Sequence, residues 1–331
     1  MSTLFLSGGT GFVGSHVARE FLARGWQVRA LVRRPDRPGR LPAGAEIVPG
    51  DLDLPGDLRQ ALRGAAAIVH CAGATRALGL DEFRRVNVGG TEAVARAASE
   101  ACPEAMFVHV SSQAAAGPSR RGAPVLESDP PTPVSWYGRS KLEGELAVAN
   151  HYRGPWCVVR PSVVYGAGDP GLLSMFAIVA RGVAPIVGGG RRRVQLLAAP
   201  DLARMLYAVA ERPDLHGRRV FAAGDIVSIG DLVREVAALR TPRARTVAVP
   251  GPVVRILGLL ASFRGALTGT ASAFNRDKVR DMLQADWLCD SARLFSDLGV
   301  APAIGWRRGI RDTCRWYVRE RWLPSGHFAH T

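Results

Sequence analysis

A tyrosine and a lysine four residues apart are the first candidates for chemistry. Tyr137 and Lys141 lie in a segment with a helical pattern, Trp136–Asn150, where this spacing places them on one face, one turn apart. A fixed cation beside a phenol favours the phenolate, so we expect Lys141 to lower the pKa of Tyr137 from about 10 toward the range of a general acid or base. The alternative is an ordinary surface tyrosine beside a lysine. The composition favours chemistry, because Lys278 is the only other lysine among 43 basic residues.

A glycine-rich turn near the N-terminus could hold a pyrophosphate. The predicted strand Thr3–Leu6 runs into a turn with glycines at positions 8, 11 and 14, and a helical pattern follows. The first glycine permits a tight turn, the second lets the backbone approach a pyrophosphate, and the third lets helix and strand pack closely. The helix N-terminus adds unpaired N–H groups and partial positive charge. The turn therefore predicts dinucleotide binding by Gly8, Thr10, Gly11, Phe12, Val13 and Gly14.

The end of the second predicted strand bears on which dinucleotide binds. An acid about twenty residues after the glycines would accept a ribose 2′-hydroxyl, but the chain has Arg33 and Arg34 there, and Asp36 is the first acid. Two guanidiniums suit a 2′-phosphate, so we expect NADP(H) in preference to NAD(H). The alternative is that arginine is simply abundant in this chain. Asp51 and Leu52 follow the third strand, where the acid would meet the adenine or cap the next helix.

Two serines follow the fifth predicted strand, Met106–Val110. In open α/β sheets, ligands lie beyond the carboxyl ends of the strands. A hydroxyl of Ser111 or Ser112 could therefore donate a hydrogen bond to a substrate oxygen and stabilise developing charge. Serines in this place also form ordinary turns.

Alternating short apolar runs and amphipathic segments predict the elements that position these residues. The predicted strands are 3–6, 28–32, 46–48, 67–70, 106–110 and 157–159, and the helices 13–23, 57–62, 86–98 and 136–150. This rhythm predicts an α/β fold, a doubly wound parallel sheet (Rossmann) with a smaller C-terminal substrate lobe. We expect a dinucleotide-binding domain at 1–165, with returning segments near 194–225, and a mainly substrate-binding lobe at 166–331. Further helical patterns cover 232–239 and 250–267.

Composition excludes several classes of protein. A hydrophobic fraction of 47% and a charged fraction of 22% are typical of a globular chain. The net charge of +14 is scattered, without a basic tail or a basic stripe among aromatics, so nucleic-acid binding is not expected. Five cysteines without metal-ligand spacing predict free thiols in a reducing compartment and no metal. We find no signal peptide and no membrane span, and expect a cytoplasmic protein.

Together these motifs resemble the extended short-chain dehydrogenase/reductase superfamily, which includes the NAD(P)-dependent epimerase/dehydratase family. The resemblance covers most of the chain. It rests on the glycine turn, Gly50-Asp51-Leu52, His70-Cys71-Ala72-Gly73, Asn87, Ser111-Ser112, Tyr137, Lys141, Arg160-Pro161-Ser162-Val163-Val164-Tyr165-Gly166 and Asp201-Leu202-Ala203.

The resemblance implies a role for each matching residue. Ser112 and Tyr137 would bind the substrate oxygen, Tyr137 would transfer the proton, and Lys141 would lower its pKa and hold the nicotinamide ribose. Asn87 would fix the architecture around the cofactor. The other residues implied at the cofactor are Cys71, Ala72, Gly73, Pro161 and Val163.

Departures from the sugar-modifying pattern indicate the substrate class. Val194 stands where sugar-modifying enzymes carry an arginine that binds a diphosphate, although Arg191–Arg193 could substitute for it. Gln195 and Ala116 also differ from the residues typical of those enzymes. The pattern looks more similar to three-beta-hydroxysteroid dehydrogenases and dihydroflavonol reductases. We therefore expect an NADP-dependent oxidoreductase that interconverts a ketone and a secondary alcohol on a hydrophobic steroid-, terpenoid- or lipid-like substrate. A nucleotide-sugar epimerase and a non-catalytic NADPH-binding sensor remain the alternatives. Family analogy allows a homodimer, and peripheral membrane contact is possible but not expected.

Overall fold

A seven-stranded parallel sheet carries the candidate residues. The computed structural model describes residues 1–52, 55–120, 123–254, 256, 259, 276–284 and 286–328. The strands are β1 (Thr3–Ser7), β2 (Gln27–Val32), β3 (Glu46–Pro49), β4 (Ala67–His70), β5 (Met106–Val110), β6 (Trp156–Pro161), β7 (Val163–Tyr165), β8 (Val183–Val187), β9 (Arg193–Ala198), β10 (Arg218–Ala222), β11 (Asp225–Ser228), β12 (Arg245–Val249) and β13 (Asp286–Trp287). The large sheet has the order β10-β6-β5-β4-β1-β2-β3.

Helices cover both faces of this sheet. They are α1 (Phe12–Ala23), α2 (Pro55–Leu62), α3 (Leu80–Arg84), α4 (Gly90–Ala101), α5 (Gln113–Ala116), α6 (Trp136–His151), α7 (Pro170–Ala180), α8 (Ala199–Ala210), α9 (Ile229–Ala238), α10 (Arg276–Met282), α11 (Ala292–Leu298) and α12 (Trp306–Arg319). Strand β1 shows why both faces are covered: Leu4 and Leu6 pack with α1 and α8, whereas Phe5 packs with α2, α4 and α6. Because side chains alternate along a strand, a continuous apolar run requires apolar partners on both faces.

A smaller set of sheets forms a second part of the fold. Strand β9 pairs with β7, β11 and β13, and β8 pairs with β12. Their core is a separate apolar cluster that includes Phe176 from α7, Val236 from α9, and Ile310 and Tyr317 from α12. This arrangement forms a smaller lobe whose core is separate from that of the large sheet.

The doubly wound parallel sheet predicted from the sequence is confirmed. The predicted helix 86–98 differs in detail, because a π-helical turn, Arg85–Gly89, precedes α4. Of the returning segments near 194–225, β10 joins the large sheet while β9 belongs to the lobe. Most of the helical pattern at 250–267 lies outside the described residues. The domain boundary at 165 stays a prediction.

The glycine turn has the geometry that its spacing predicts. Gly8 has a φ of +73°, and a Cβ there would lie 2.7 Å from the backbone nitrogen of Ala72. A Cβ on Gly14 would overlap the carbonyl oxygen of Gly8, so α1 can pack against β1 only without a side chain at this position. Gly11 is the N-cap of α1 and offers no side chain to its first amides. These N–H groups are therefore available to an anionic group.

We expect Gly14→Ala to lower the free energy of unfolding by about 1–3 kcal/mol, because the new methyl group forces backbone apart. Urea unfolding followed by circular dichroism measures this change. The matched control is Gly89→Ala, a helical position where an added Cβ would meet only the carbonyl oxygen of Arg84, at 4.0 Å. Equal stability of the two variants would show that α1 tolerates a side chain at the turn.

Candidate active site

The first turn of α6 is held by two independent caps. The Ser135 hydroxyl accepts a hydrogen bond from the Gly138 amide at 3.1 Å. A carboxylate from α10, Asp277, accepts the amide of Trp136 at 2.8 Å. Capping fixes both the start and the direction of the helix. As a result, Tyr137 lies in the first turn and Lys141 one turn later, as the spacing predicts.

Strand β5 brings Ser112 to the Tyr137 phenol. Ser112 follows β5 and is the N-cap of α5, where its hydroxyl accepts the Ala114 amide at 3.1 Å. Its side chain also lies close enough to the Tyr137 phenol to lower the pKa of that phenol. The neighbouring Ser111 donates instead to Glu145 at 2.6 Å. The two serines thus have different partners, and the one that faces the phenol is Ser112.

The pKa of Tyr137 shifts in the direction opposite to the sequence expectation. Burial raises the pKa of this phenol, the hydrogen bond from Ser112 lowers it, and the charge of Asp281 raises it. The Lys141 ammonium donates to the carbonyl oxygen of Val110 at 2.7 Å. Lys141 is not among the groups that shift the pKa of Tyr137, so burial determines the direction of the shift and the prediction of a lowered pKa is wrong for the protein alone.

Lys141 is a buried cation, with 5% of its surface exposed. Burial lowers the pKa of its ammonium to about 8, although the negative charge of Glu145 acts in the other direction. A Cβ on Gly73 would lie 3.9 Å from its Nζ atom. The ammonium therefore lies between the end of β5 and the loop that follows β4. Because its pKa is about 8, the group can gain and lose a proton near neutral pH.

Asn87 ties that loop to the catalytic helix. Its side-chain amide donates to Ser140 of α6 at 2.9 Å and to the carbonyl of Ala74 at 3.1 Å, and its oxygen accepts the Ala74 amide at 2.7 Å. A Cβ on Gly73 would lie 3.0 Å from the same oxygen. The π-helical turn that holds Asn87 is a feature frequent at functional sites.

The predicted cofactor residues lie along one edge of the large sheet. They follow the carboxyl ends of β1, β2, β3, β4 and β6, next to Ser112 at the end of β5, and they are Gly8, Thr10, Gly11, Phe12, Val13, Gly14, Arg33, Arg34, Asp51, Leu52, Cys71, Ala72, Gly73, Pro161 and Val163. Arg33 and Arg34 are exposed, and no ion pair involves them among the described residues. The Asp51 carboxylate accepts the Leu52 amide at 2.7 Å. An uncapped helix N-terminus beside two free guanidiniums fits a phosphorylated dinucleotide.

The structure has a buried ion-pair network behind the site that the sequence analysis did not predict. Glu145 is fully buried and accepts two hydrogen bonds from Arg160, at 2.9 and 2.7 Å. Arg219 lies 3.4 Å from the same carboxylate. A signal did exist, because Tyr137, Lys141 and Glu145 follow each other at intervals of four residues on one helix face.

Two buried histidines pack beneath the site. The rings of His70 and His109 are stacked with centroids 5.4 Å apart, and His70 is hydrogen-bonded to Ser7 and Thr91. Burial lowers the pKa of His70 to about 3, so its imidazole is neutral. Within the part of the chain that the structure describes, no cluster of His, Cys, Asp and Glu side chains could hold a metal ion. The same residues include no helix that is long and apolar enough to cross a membrane.

The titration of Lys141 can be measured directly. The chain has only two lysines, so ¹⁵N-lysine labelling gives two side-chain signals, which Lys278→Arg assigns. We expect Lys141 to titrate near pH 8, because it is desolvated. Glu145→Gln should lower this pKa further, since it removes a negative charge beside the ammonium.

The control for this measurement is Glu143→Gln on the same helix. Glu143 pairs with Arg84 and Arg139 and does not influence Lys141. An unshifted Lys141 titration near pH 10, or an equal effect of the two substitutions, would contradict the assigned environment.

Comparison with known proteins agrees with this geometry. The model of the NAD dependent epimerase/dehydratase family matches residues 4–230. The ceramide reductase of Caulobacter vibrioides is 33% identical over 329 residues, which cover 98% of this chain and 97% of that protein. The sterol demethylase protein B of Methylococcus capsulatus is 29% identical and covers 96% of this chain and 99% of its own length.

A solved structure shows the same fold. MoeE5, in complex with UDP-glucose and NAD, has a TM-score of 0.76 and 24% identity, and the alignment covers 97% of this chain and 100% of that chain. Family model, relatives and fold therefore agree with the resemblance that the sequence motifs indicate. The chain belongs to the NAD dependent epimerase/dehydratase family of extended short-chain dehydrogenases/reductases, and it is an NAD(P)-dependent enzyme.

Proposed function

We propose that this enzyme is an NADP-dependent oxidoreductase that interconverts a ketone and a secondary alcohol on a hydrophobic, lipid-like substrate. The observation that carries the proposal is the proximity of the Ser112 side chain to the Tyr137 phenol, with Lys141 one turn along the same helix. These three side chains lie at the same sheet edge as the glycine turn. Ligands of open parallel sheets bind at this edge.

The raised pKa of Tyr137 is consistent with a role as proton donor during ketone reduction. A bound nicotinamide supplies a hydride to the carbonyl carbon. Tyr137 stays protonated at neutral pH and can donate its phenolic proton to the carbonyl oxygen as negative charge develops there. Ser112 donates a hydrogen bond to the same oxygen, and the positive charge of Lys141 stabilises the phenolate that remains.

The environment of β9 argues against a nucleotide-sugar substrate. Val194 is 9% exposed and belongs to the lobe core. Arg193, one of the arginines that could replace a diphosphate ligand, is held by Asp286 through its side chain and its backbone amide, both at 2.7 Å. The Gln195 side chain is bonded to the backbone of Cys289. The polar side chains of Arg193 and Gln195 on this strand therefore hold the lobe together and are already engaged, which leaves them less suited to bind a diphosphate.

The relatives support a lipid-like substrate. The names of two of them, ceramide reductase and sterol demethylase protein B, refer to a sphingolipid and a sterol, and both match nearly the whole chain. By analogy we assign this chain a long-chain or polycyclic ketone. We assign it to the cytoplasm on the basis of its cysteines, which are all free and of which four are buried.

Tyr137→Phe should lower the rate of ketone reduction by about 10²–10⁴-fold, because it removes the proton donor while keeping the ring. The assay follows NADPH oxidation with the ketone forms of ceramide and of a sterol, and with a nucleotide-bound keto sugar as the competing class. Tyr207→Phe is the matched control, since this tyrosine of α8 packs against the rings of Phe21 and Trp26, away from the site.

The outcomes separate the three functions. Turnover of the lipid ketones by the wild type and its loss in Tyr137→Phe support the reductase. Turnover of the keto sugar alone would favour the nucleotide-sugar enzyme. Tight NADPH binding without turnover of any substrate would favour the sensor.

Replacing both Arg33 and Arg34 by alanine should weaken NADPH binding about tenfold or more and leave NADH binding unchanged, because each guanidinium forms charge-assisted bonds with a 2′-phosphate. Fluorescence titration with the two cofactors measures both affinities. Arg37→Ala is the control, since Arg37 pairs with Asp36 on the same loop. Tighter binding of NADH than of NADPH by the wild type would refute the NADP preference.

A further inference from the structure

Acidic residues are absent from two long segments of the chain. No Asp or Glu occurs in residues 170–200 or in residues 236–276, although the whole chain has 29 acids. The first segment has four arginines and the second has six. Any surface built from both segments alone therefore carries positive charge and no negative charge.

The structure brings these two segments together. Strands β8 and β12, one from each segment, pair in parallel, with Val183 beside Arg245 and Pro185 beside Val247. Ala184 is fully buried in the lobe core, so the alternate positions of β8 point away from it. Val183 is 43% exposed and Val247 is 46% exposed, and Arg245 is exposed beside them. Two valines and an arginine thus share the outward face.

The residues that lead into the two strands have the same character. Arg181 precedes β8 and Arg243 precedes β12, and both are exposed. Arg181, Arg243 and Arg245 have no carboxylate partner among the described residues. We name the set Arg181, Val183, Arg243, Arg245 and Val247 the basic edge. The chain beyond it continues with exposed apolar side chains, at 43%, 57% and 51%, which are Val253, Ile256 and Leu259.

We propose that the basic edge docks the enzyme on an anionic lipid bilayer, from which the lipid substrate is taken. Guanidiniums attract anionic headgroups, and the exposed valines enter the boundary between headgroups and acyl chains. A second copy of the chain fits this edge poorly, because like charges would face each other across a twofold interface. This proposal rests on the proposed function, and it goes beyond the sequence analysis, which left peripheral membrane contact open but did not expect it.

The basic edge is connected to the reaction site through the chain. The acid-free segment 236–276 contains β12 and ends immediately before Asp277. The carboxylate of Asp277 accepts the amide of Trp136 at the start of the catalytic helix, and Asp281, one turn later, influences the Tyr137 phenol. The element that follows the basic edge therefore contacts the site where the ketone is reduced.

Vesicle co-sedimentation of the full chain tests this surface. We expect the wild type to bind vesicles of phosphatidylcholine with phosphatidylglycerol, to bind phosphatidylcholine alone weakly, and to lose binding as salt is added. Arg243→Glu with Arg245→Glu should weaken binding to the anionic vesicles about tenfold or more, because each basic residue at such a surface contributes severalfold. Val183→Ser with Val247→Ser keeps the charge and should weaken binding at all salt concentrations.

A charge-matched control separates the edge from the net charge. Arg63→Glu with Arg153→Glu makes the same change on exposed residues of the large-sheet half and should leave vesicle binding unchanged. An equal loss in this control, or no binding of the wild type, would overturn the proposal. Gel filtration tests whether a second copy of the chain occupies the basic edge instead. A wild-type dimer that the Arg243/Arg245 substitutions disrupt, together with no binding of the wild type to vesicles, would also overturn the proposal.

Failure of the docking proposal and failure of the proposed function give different results. Co-sedimentation needs neither cofactor nor substrate, so it tests the basic edge alone. The Arg243/Arg245 variant should reduce a detergent-dispersed lipid ketone at the wild-type rate and lose activity toward the same ketone in anionic vesicles. Vesicle binding without reduction in either form would refute the reductase and leave the docking surface standing.

Discussion

A buried ammonium is the constraint on which the rest of the site depends. Lys141 is almost fully buried, and a desolvated cation is stable only where polar groups and negative charge compensate it. The carbonyl of Val110 and the carboxylate of Glu145 provide this compensation. Glu145 is in turn fixed by Arg160 and Ser111. Helix α6 can therefore pack on β5 and β6 in one register, and that register brings Tyr137 to Ser112.

The parallel sheet imposes the second constraint on the site, because it places the residues that follow its strands along one edge. Strands that are apolar on both faces must lie inside the fold, and parallel connections put all of their carboxyl ends on one side. The tight turn at Gly8 and the close packing at Gly14 leave the amides at the start of α1 open on that side. The open amides and the Tyr137 phenol thus lie at one edge of the sheet, where the proposed cofactor and substrate would meet.

The distribution of charge divides the molecule into two surfaces with different tasks. Acids and arginines pair with each other over much of the large-sheet half, as Arg84 and Glu143 do. The lobe concentrates unpaired arginines and exposed valines along β8 and β12, such as Arg245 and Val247. An enzyme that takes a hydrophobic ketone from a bilayer needs both surfaces, because the cofactor binds from water and the substrate arrives from lipid.

The sequence alone predicted most of the strands and helices, the geometry of the glycine turn, and the shared face of Tyr137 and Lys141. These features depend on neighbours within a few residues, where spacing and backbone preferences determine geometry. Only the tertiary structure decided that Ser112 faces the phenol, that Asp277 caps the catalytic helix, and that the pKa of Tyr137 is raised. Such properties depend on burial and on charges that come from distant parts of the chain. No local pattern encodes the desolvation of a side chain, because the groups that remove its water are brought there by the fold.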